Sequence, residues 1–175
     1  MFFWIKRLRW AFKYAKLTVK HKWFVLIAGR RLGVSYWRLL KHDLSKFGVK
    51  EIFAYGRQFF GDRSDAGGFA KAWLHHQNHN DHHWEYWVSR SGHNKISESS
   101  SFPMIMSEQA MLEMIADWMG ASRAYEGSWP NVFNWLWYNK NFSKILLNMN
   151  TRSDVEKVIR GLRKLPKGLL SKRSG

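Results

Sequence analysis

An all-α fold is predicted by three features of this 175-residue chain. Apolar residues recur at three- and four-residue steps, Ser or Gly stands at the ends of those stretches, and strand-like alternation is nearly absent. The length suits one helical bundle forming a single domain with a proper core. Aromatic residues make up 17% of the chain, eleven of them Trp, so that core should be rich in rings.

The first stretch is an amphipathic basic helix over residues 4–19. Trp4, Ile5, Leu8, Phe12, Ala15 and Val19 step along one side, while Lys6, Arg9, Lys13, Lys16 and Lys20 line another. The apolar stripe is expected to pack on the core. Two functional readings compete with that: the helix could lie on an anionic membrane, or follow a phosphate backbone. The helical pattern resumes at His21 in HKWFVLIAGRRLG and stops at Gly33. Ser35 reads as the N-cap of SYWRLLKHDLSKF, which carries His42 and Asp43 side by side near its end.

Residues 50–60 form a further short helix with Glu51 near its start, and GDRSDAGG after it is rich in turn formers. The stretch AWLHHQNHNDHHWEYW, residues 72–87, then packs five of the eight histidines into nine positions. A helix there would set His75, His79 and His82 on one face, and His76, His79 and His83 on its neighbour. Asp81 and Glu85 are the nearby carboxylates that could orient those rings. A polar loop, SRSGHNKISESSS, leads to Pro103.

Residues 106–124 are strongly helical behind an N-cap at Ser107. Glu113 and Asp117 fall four apart on one face of that helix, where a shared cation would relieve their repulsion. The aromatic block WPNVFNWLWY, residues 129–138, is expected to cap the core. A basic helix over 154–165 starts at Ser153, and the tail PKGLLSKRSG should be poorly ordered. The division expected is a basic N-terminal helix at 1–20, a helical core at 21–150, and a basic C-terminal helix and tail at 151–175.

The net charge of +16 is unevenly spread. Residues 1–50 hold thirteen Lys or Arg against one acid, Asp43, and residues 140–175 hold ten against two, whereas 51–139 hold six against ten acids. The ends are basic and the middle is the expected place of chemistry. Such a balance favours an anionic partner: a phosphate-bearing small molecule, nucleic acid held by the basic ends, or a membrane surface. With no cysteine, thiolate catalysis, iron–sulfur clusters and Cys-type zinc sites are excluded, and any metal must be held by His, Asp or Glu. Neither a spanning segment nor a signal peptide is legible, so the expected location is cytoplasmic, the host cytoplasm if the chain is phage-encoded.

In chain order the candidate ligands are His21, His42 with Asp43, His75 or His76, His82 or His83, and Asp117. That order resembles the HD superfamily of metal-dependent phosphohydrolases, which carry a His on one helix, an adjacent His-Asp pair at the end of another, and a late Asp. Two-metal members add histidines between the pair and the last Asp. Residue by residue, the resemblance implies His21, His42, Asp43 and Asp117 as ligands of a first metal, with His76 and His83 as the best additional ones. Lys46 stands where some nucleotidases of the superfamily carry an acid. From about residue 20 to residue 150 the chain also resembles a family of uncharacterised phage and bacterial proteins, a domain of unknown function. The strings HKWFVLIAGRRLGVSYWRLLKHDLSKF, AWLHHQNHNDHHWEYW and EMIADWMGAS carry that likeness.

The expected function is a metal-dependent phosphohydrolase acting on a nucleotide or other phosphate ester, with one or two divalent ions of Mn, Fe, Zn or Mg. Glu113 or a free histidine would serve as general base. Lys46, Arg38 or Lys41 would neutralise the phosphate. The alternatives are a non-enzymatic basic protein bound to nucleic acid or a virion, and an HD-type di-iron oxygenase.

Overall fold

The computed structural model describes residues 2–90, 101–131 and 133–163. Of the loop expected over 89–101, residues 91–100 lie outside the described residues, as does the tail from 166, while Ser89, Arg90 and Ser101 at its ends are in strands. The fold is all-α, as the periodicity predicts. Its seven described helices are α1 (Phe2–Leu32), α2 (Tyr36–Lys41), α3 (Ile52–Phe60), α4 (Ala66–His79), α5 (Glu108–Tyr125), α6 (Leu136–Asn141) and α7 (Met149–Arg163). One small antiparallel ribbon pairs β1 (Val88–Arg90) with β2 (Ser101–Pro103). No described helix is long and apolar enough to cross a membrane.

α1 is one helix where the sequence suggested two. Nothing between Val19 and His21 breaks the pattern, so 31 residues run unbroken until Gly33, whose φ of 85° ends the helix in a conformation that suits glycine. The packing face also differs from expectation. Ala11, Tyr14, Thr18, His21, Val25 and Ala28 are buried, whereas Ile5, Leu8, Phe12 and Val19 stay exposed. Tertiary contacts decide this, because α1 packs against both α3, near Ala11, and α5, near Val25.

Two glycines let those backbones meet. A Cβ on Gly120 of α5 would stand 2.8 Å from the Val25 nitrogen, and one on Gly56 of α3 would stand 2.8 Å from the Ala11 nitrogen. α5 is buried along most of its length, and Met114, Ile115 and Met119 centre a core completed by Val25, Trp135 and Val155. Burial of this apolar surface is the main stabilising term.

The Ser35 and Ser107 caps are formed, their hydroxyls accepting from the Arg38 and Ala110 amides. The Ser153 cap is not. α7 begins at Met149, where the Asn148 side chain accepts from the Asn150 amide at 3.0 Å, and Ser153 sits inside the helix. The expected loop GDRSDAGG is cut short because Asp65 accepts from the Gly68 amide at 2.8 Å and starts α4 at Ala66. α4 in turn ends at His79. Asn80 takes an extended conformation, so the single helix expected over 72–87 becomes a helix, a turn and a short 3-10 segment at Trp84–Trp87.

Candidate metal centre

Four elements bring the candidate ligands together. α1 supplies His21, the end of α2 supplies His42 and Asp43, α4 and its following turn supply His76, His82 and His83, and α5 supplies Glu113 and Asp117. His21, His42, Asp43, His76 and His82 are each at most 2% exposed. Because α4 stops at His79, it is the turn, and not a shared helical face, that carries His82 and His83 inward. His75 and His79 stay outside: His75 bonds Glu51 at 2.7 Å, and His79 bonds the His75 carbonyl.

The first group is His21, His42, Asp43 and Asp117. His21 Nε2 lies 2.8 Å from Asp117 Oδ1, 3.4 Å from Asp43 Oδ2 and 3.4 Å from His42 Nε2. His42 Nε2 lies 3.5 Å from Asp43 Oδ2 and 3.6 Å from Asp117 Oδ1. Neighbouring ligands about 2.1 Å from an ion stand roughly 3.0 Å apart in an octahedron and 3.4 Å in a tetrahedron. The cluster has the edges of such a shell.

The second group is Asp43, His76, His82 and His83, reached through the other carboxylate oxygen. Asp43 Oδ1 lies 3.2 Å from His76 Nε2 and 3.6 Å from His82 Nε2. Asp43 Oδ1 and the Nε2 atoms of His76, His82 and His83 are all buried and make no hydrogen bond among the described residues. Leaving such groups unmet costs about 1–3 kcal/mol each, and a cation placed among them would meet them together. In each of the two groups the four ligand atoms lie within 4.8 Å of one another, and both could hold an ion.

The opposite ring nitrogens of His42, His82 and His76 meet carboxylates, whereas His21 Nδ1 is buried with no hydrogen-bond partner among the described residues. Glu113 Oε1 stands 2.9 Å from His42 Nδ1 and 3.4 Å from His82 Nδ1, and Glu51 Oε2 stands 3.0 Å from His76 Nδ1. An Nδ1–H donated to a carboxylate leaves the Nε2 lone pair facing inward, the usual way a protein orients a ligating imidazole. These partners come from α5 and from the residue before α3. The local candidates Asp81 and Glu85 do not fill the role: Asp81 pairs with Arg38, and Glu85 comes only within 4.0 Å of His83. Glu51 could be found in the sequence only as an acid at a helix start.

Electrostatics fit this division. Burial works to raise the Asp43 carboxyl, but His42 and the Lys46 ammonium hold it well below the usual carboxylate range. His42 is itself pushed down by burial and lifted by Asp43, Asp117 and Glu113, with a net rise to about 9. Burial opposes ionisation of Glu113, yet His42 and His82 bring it down to about 2.

These contacts bear on the residues expected to act as base and phosphate ligand. Glu113 is engaged by His42 Nδ1 at 2.9 Å and by Arg38 Nε at 2.7 Å. Arg38 spends its guanidinium on Glu113 and Asp81 and, like Lys41, lines a separate smaller cleft. Lys46 alone of the three cations faces the larger cavity, of about 430 Å³, with its Nζ 2.6 Å from Asp43 Oδ2. His21, His83 and Asp117 are among the polar residues that line that cavity, and Tyr14, Tyr55, Trp73 and Trp118 are among its aromatic ones. The Glu113 and Asp117 pair on α5 is bridged by His42, which faces Glu113 through Nδ1 and Asp117 through Nε2.

Fold and cluster together define an all-α protein with buried His, Asp and Glu groups able to hold metal. Within that class the chain belongs to the Family of unknown function (DUF5662), whose model matches residues 11–161. No curated protein and no solved structure matches it.

Proposed function

We propose that the chain is a metal-dependent phosphohydrolase acting on a nucleotide or another phosphate ester. The observation that carries this reading is the division of Asp43, one oxygen facing His21 and His42 and the other facing His76 and His82. A carboxylate shared in this way suits two ions about 3.5–4 Å apart, the spacing of two-metal phosphoesterases. His21, His42, Asp43 and Asp117 would hold one ion, and Asp43, His76, His82 and His83 the other. Bound there, divalent ions would supply Lewis acidity and lower the pKa of water at neutral pH.

The chain's own residues do the rest. Glu113 and Glu51 hold the His42, His82 and His76 rings against rotation, and Lys46 presents positive charge where a phosphate would enter. Trp73, Tyr14 and Tyr55 offer ring faces to the organic part of the ester and keep bulk water from the polar end.

The test is elemental analysis of the purified protein followed by a screen of nucleoside phosphates with added Mn, Zn, Co or Mg. Bound metal together with turnover that Asp43→Ala abolishes is the expected result. A metal-free protein that stays inactive with every ion overturns the proposal. Two iron ions would suit the same oxygen and nitrogen donors, so dioxygen uptake without phosphate release would assign an oxygenase instead.

A further inference from the structure

On α1, far along the helix surface from the buried face, Ile5, Leu8, Phe12, Val19 and Trp23 recur at helical steps and so share one side, with Trp4 at its edge. All six are 57–62% exposed. At about 1.5 Å per residue the stripe runs for roughly 28 Å. Lys6, Arg9, Lys13, Lys16 and Lys20 repeat the same rhythm one position on, about 100° round the helix, and are also exposed. Residues 2–32 include no Asp or Glu.

An apolar stripe of this length beside a row of cations needs a partner that is apolar and anionic at once. A second copy of the chain does not qualify. Antiparallel packing through this face would set lysine against lysine, and α1 has no acidic flank to receive the cations in parallel packing. Nucleic acid would meet the cations but leave Ile5, Leu8 and Val19 without use, since aliphatic side chains give no plane for base stacking. A bilayer with acidic headgroups meets both: the stripe enters the acyl boundary, and the lysine stems reach up to the phosphates. The helix would lie on that surface, as it is not apolar enough to cross.

We propose that α1 is a peripheral membrane anchor, seated in the surface of an anionic bilayer through Ile5, Leu8, Phe12, Val19 and the two flanking tryptophans. The proposal is independent of the metal centre and survives its failure.

The full chain should float with vesicles of phosphatidylcholine and phosphatidylglycerol, and not with phosphatidylcholine alone. L8Q/F12Q should weaken that partition about tenfold or more, because both residues lose buried apolar surface only in the bound state. Both side chains are exposed, so unchanged helical circular dichroism is expected; I5Q/V19Q repeats the test at other positions. Failure of the wild type to float with acidic vesicles overturns the proposal. So does undiminished binding by both double variants, which would mean that charge alone drives it. Self-association that L8Q/F12Q removes, without vesicle binding, would make this face a dimer interface and overturn it too.

Discussion

With a φ of 56°, Asp43 holds a left-handed backbone that costs an L-residue about 1–2 kcal/mol. That turn lets adjacent residues, His42 and Asp43, both reach the centre, and Asp43 then faces both imidazole groups. Asp43→Ala is therefore expected to abolish metal content at both positions, whereas His76→Ala should spare the ion held by His21, His42 and Asp117; elemental analysis of the two variants checks this. Glu51→Gln and Glu113→Gln keep every ligand and loosen only its orientation. Each should weaken metal binding about 10–100-fold in a chelator competition. Protonation gives a further expectation. His42 is lifted to about 9 from an ordinary 6.5, so in the metal-free chain it carries a proton at neutral pH that an ion must displace. Metal affinity should rise with pH by up to about tenfold per unit until pH 9 and level off above it. The same lift stabilises the metal-free fold fully below about pH 6.5, and that contribution is lost as pH rises through 9.

Among the elements, α1 does most to position the site, since it carries His21 between α3 and α5 at two glycine contacts. Gly120→Ala would drive a methyl into the Val25 backbone, and the expected loss is about 1–3 kcal/mol, read as a lower Tm and a lower denaturant midpoint. This level also shows what could be read in advance. His42 and Asp43 are legible because they adjoin, and Asp117 because it breaks an otherwise apolar stretch. That His82 and His83 both turn inward is not legible, because it depends on where α4 ends, and Asn80 in its extended conformation sets that. Glu51 was illegible as a partner of His76, since 25 residues and a loop separate them. The buried face of α1 is not legible either, for a related reason. Hydrophobic periodicity identifies the apolar side, but contacts with α3 and α5 decide which side is buried, and Thr18 and His21 are inside while Phe12 and Val19 are exposed.

For the whole molecule, candidate ligands from α1, the end of α2, α4 with its following turn, and α5 converge on two adjoining groups that share Asp43, so ions there would tie most of the fold together. An ion present at about 100 times its Kd adds roughly 2.7 kcal/mol, which for a chain of this size is about 5–10 °C in Tm. Chelation should lower the melting temperature by that order in a calorimetric scan. It should not unfold the protein, and the reason is Lys46. Its ammonium rests on the Asp43 oxygen that faces His21 and His42, so the chain brings its own counterion to the spot where charge would otherwise go unanswered. Such a tenant would keep the centre neutralised and the polypeptide assembled whenever no ion is bound.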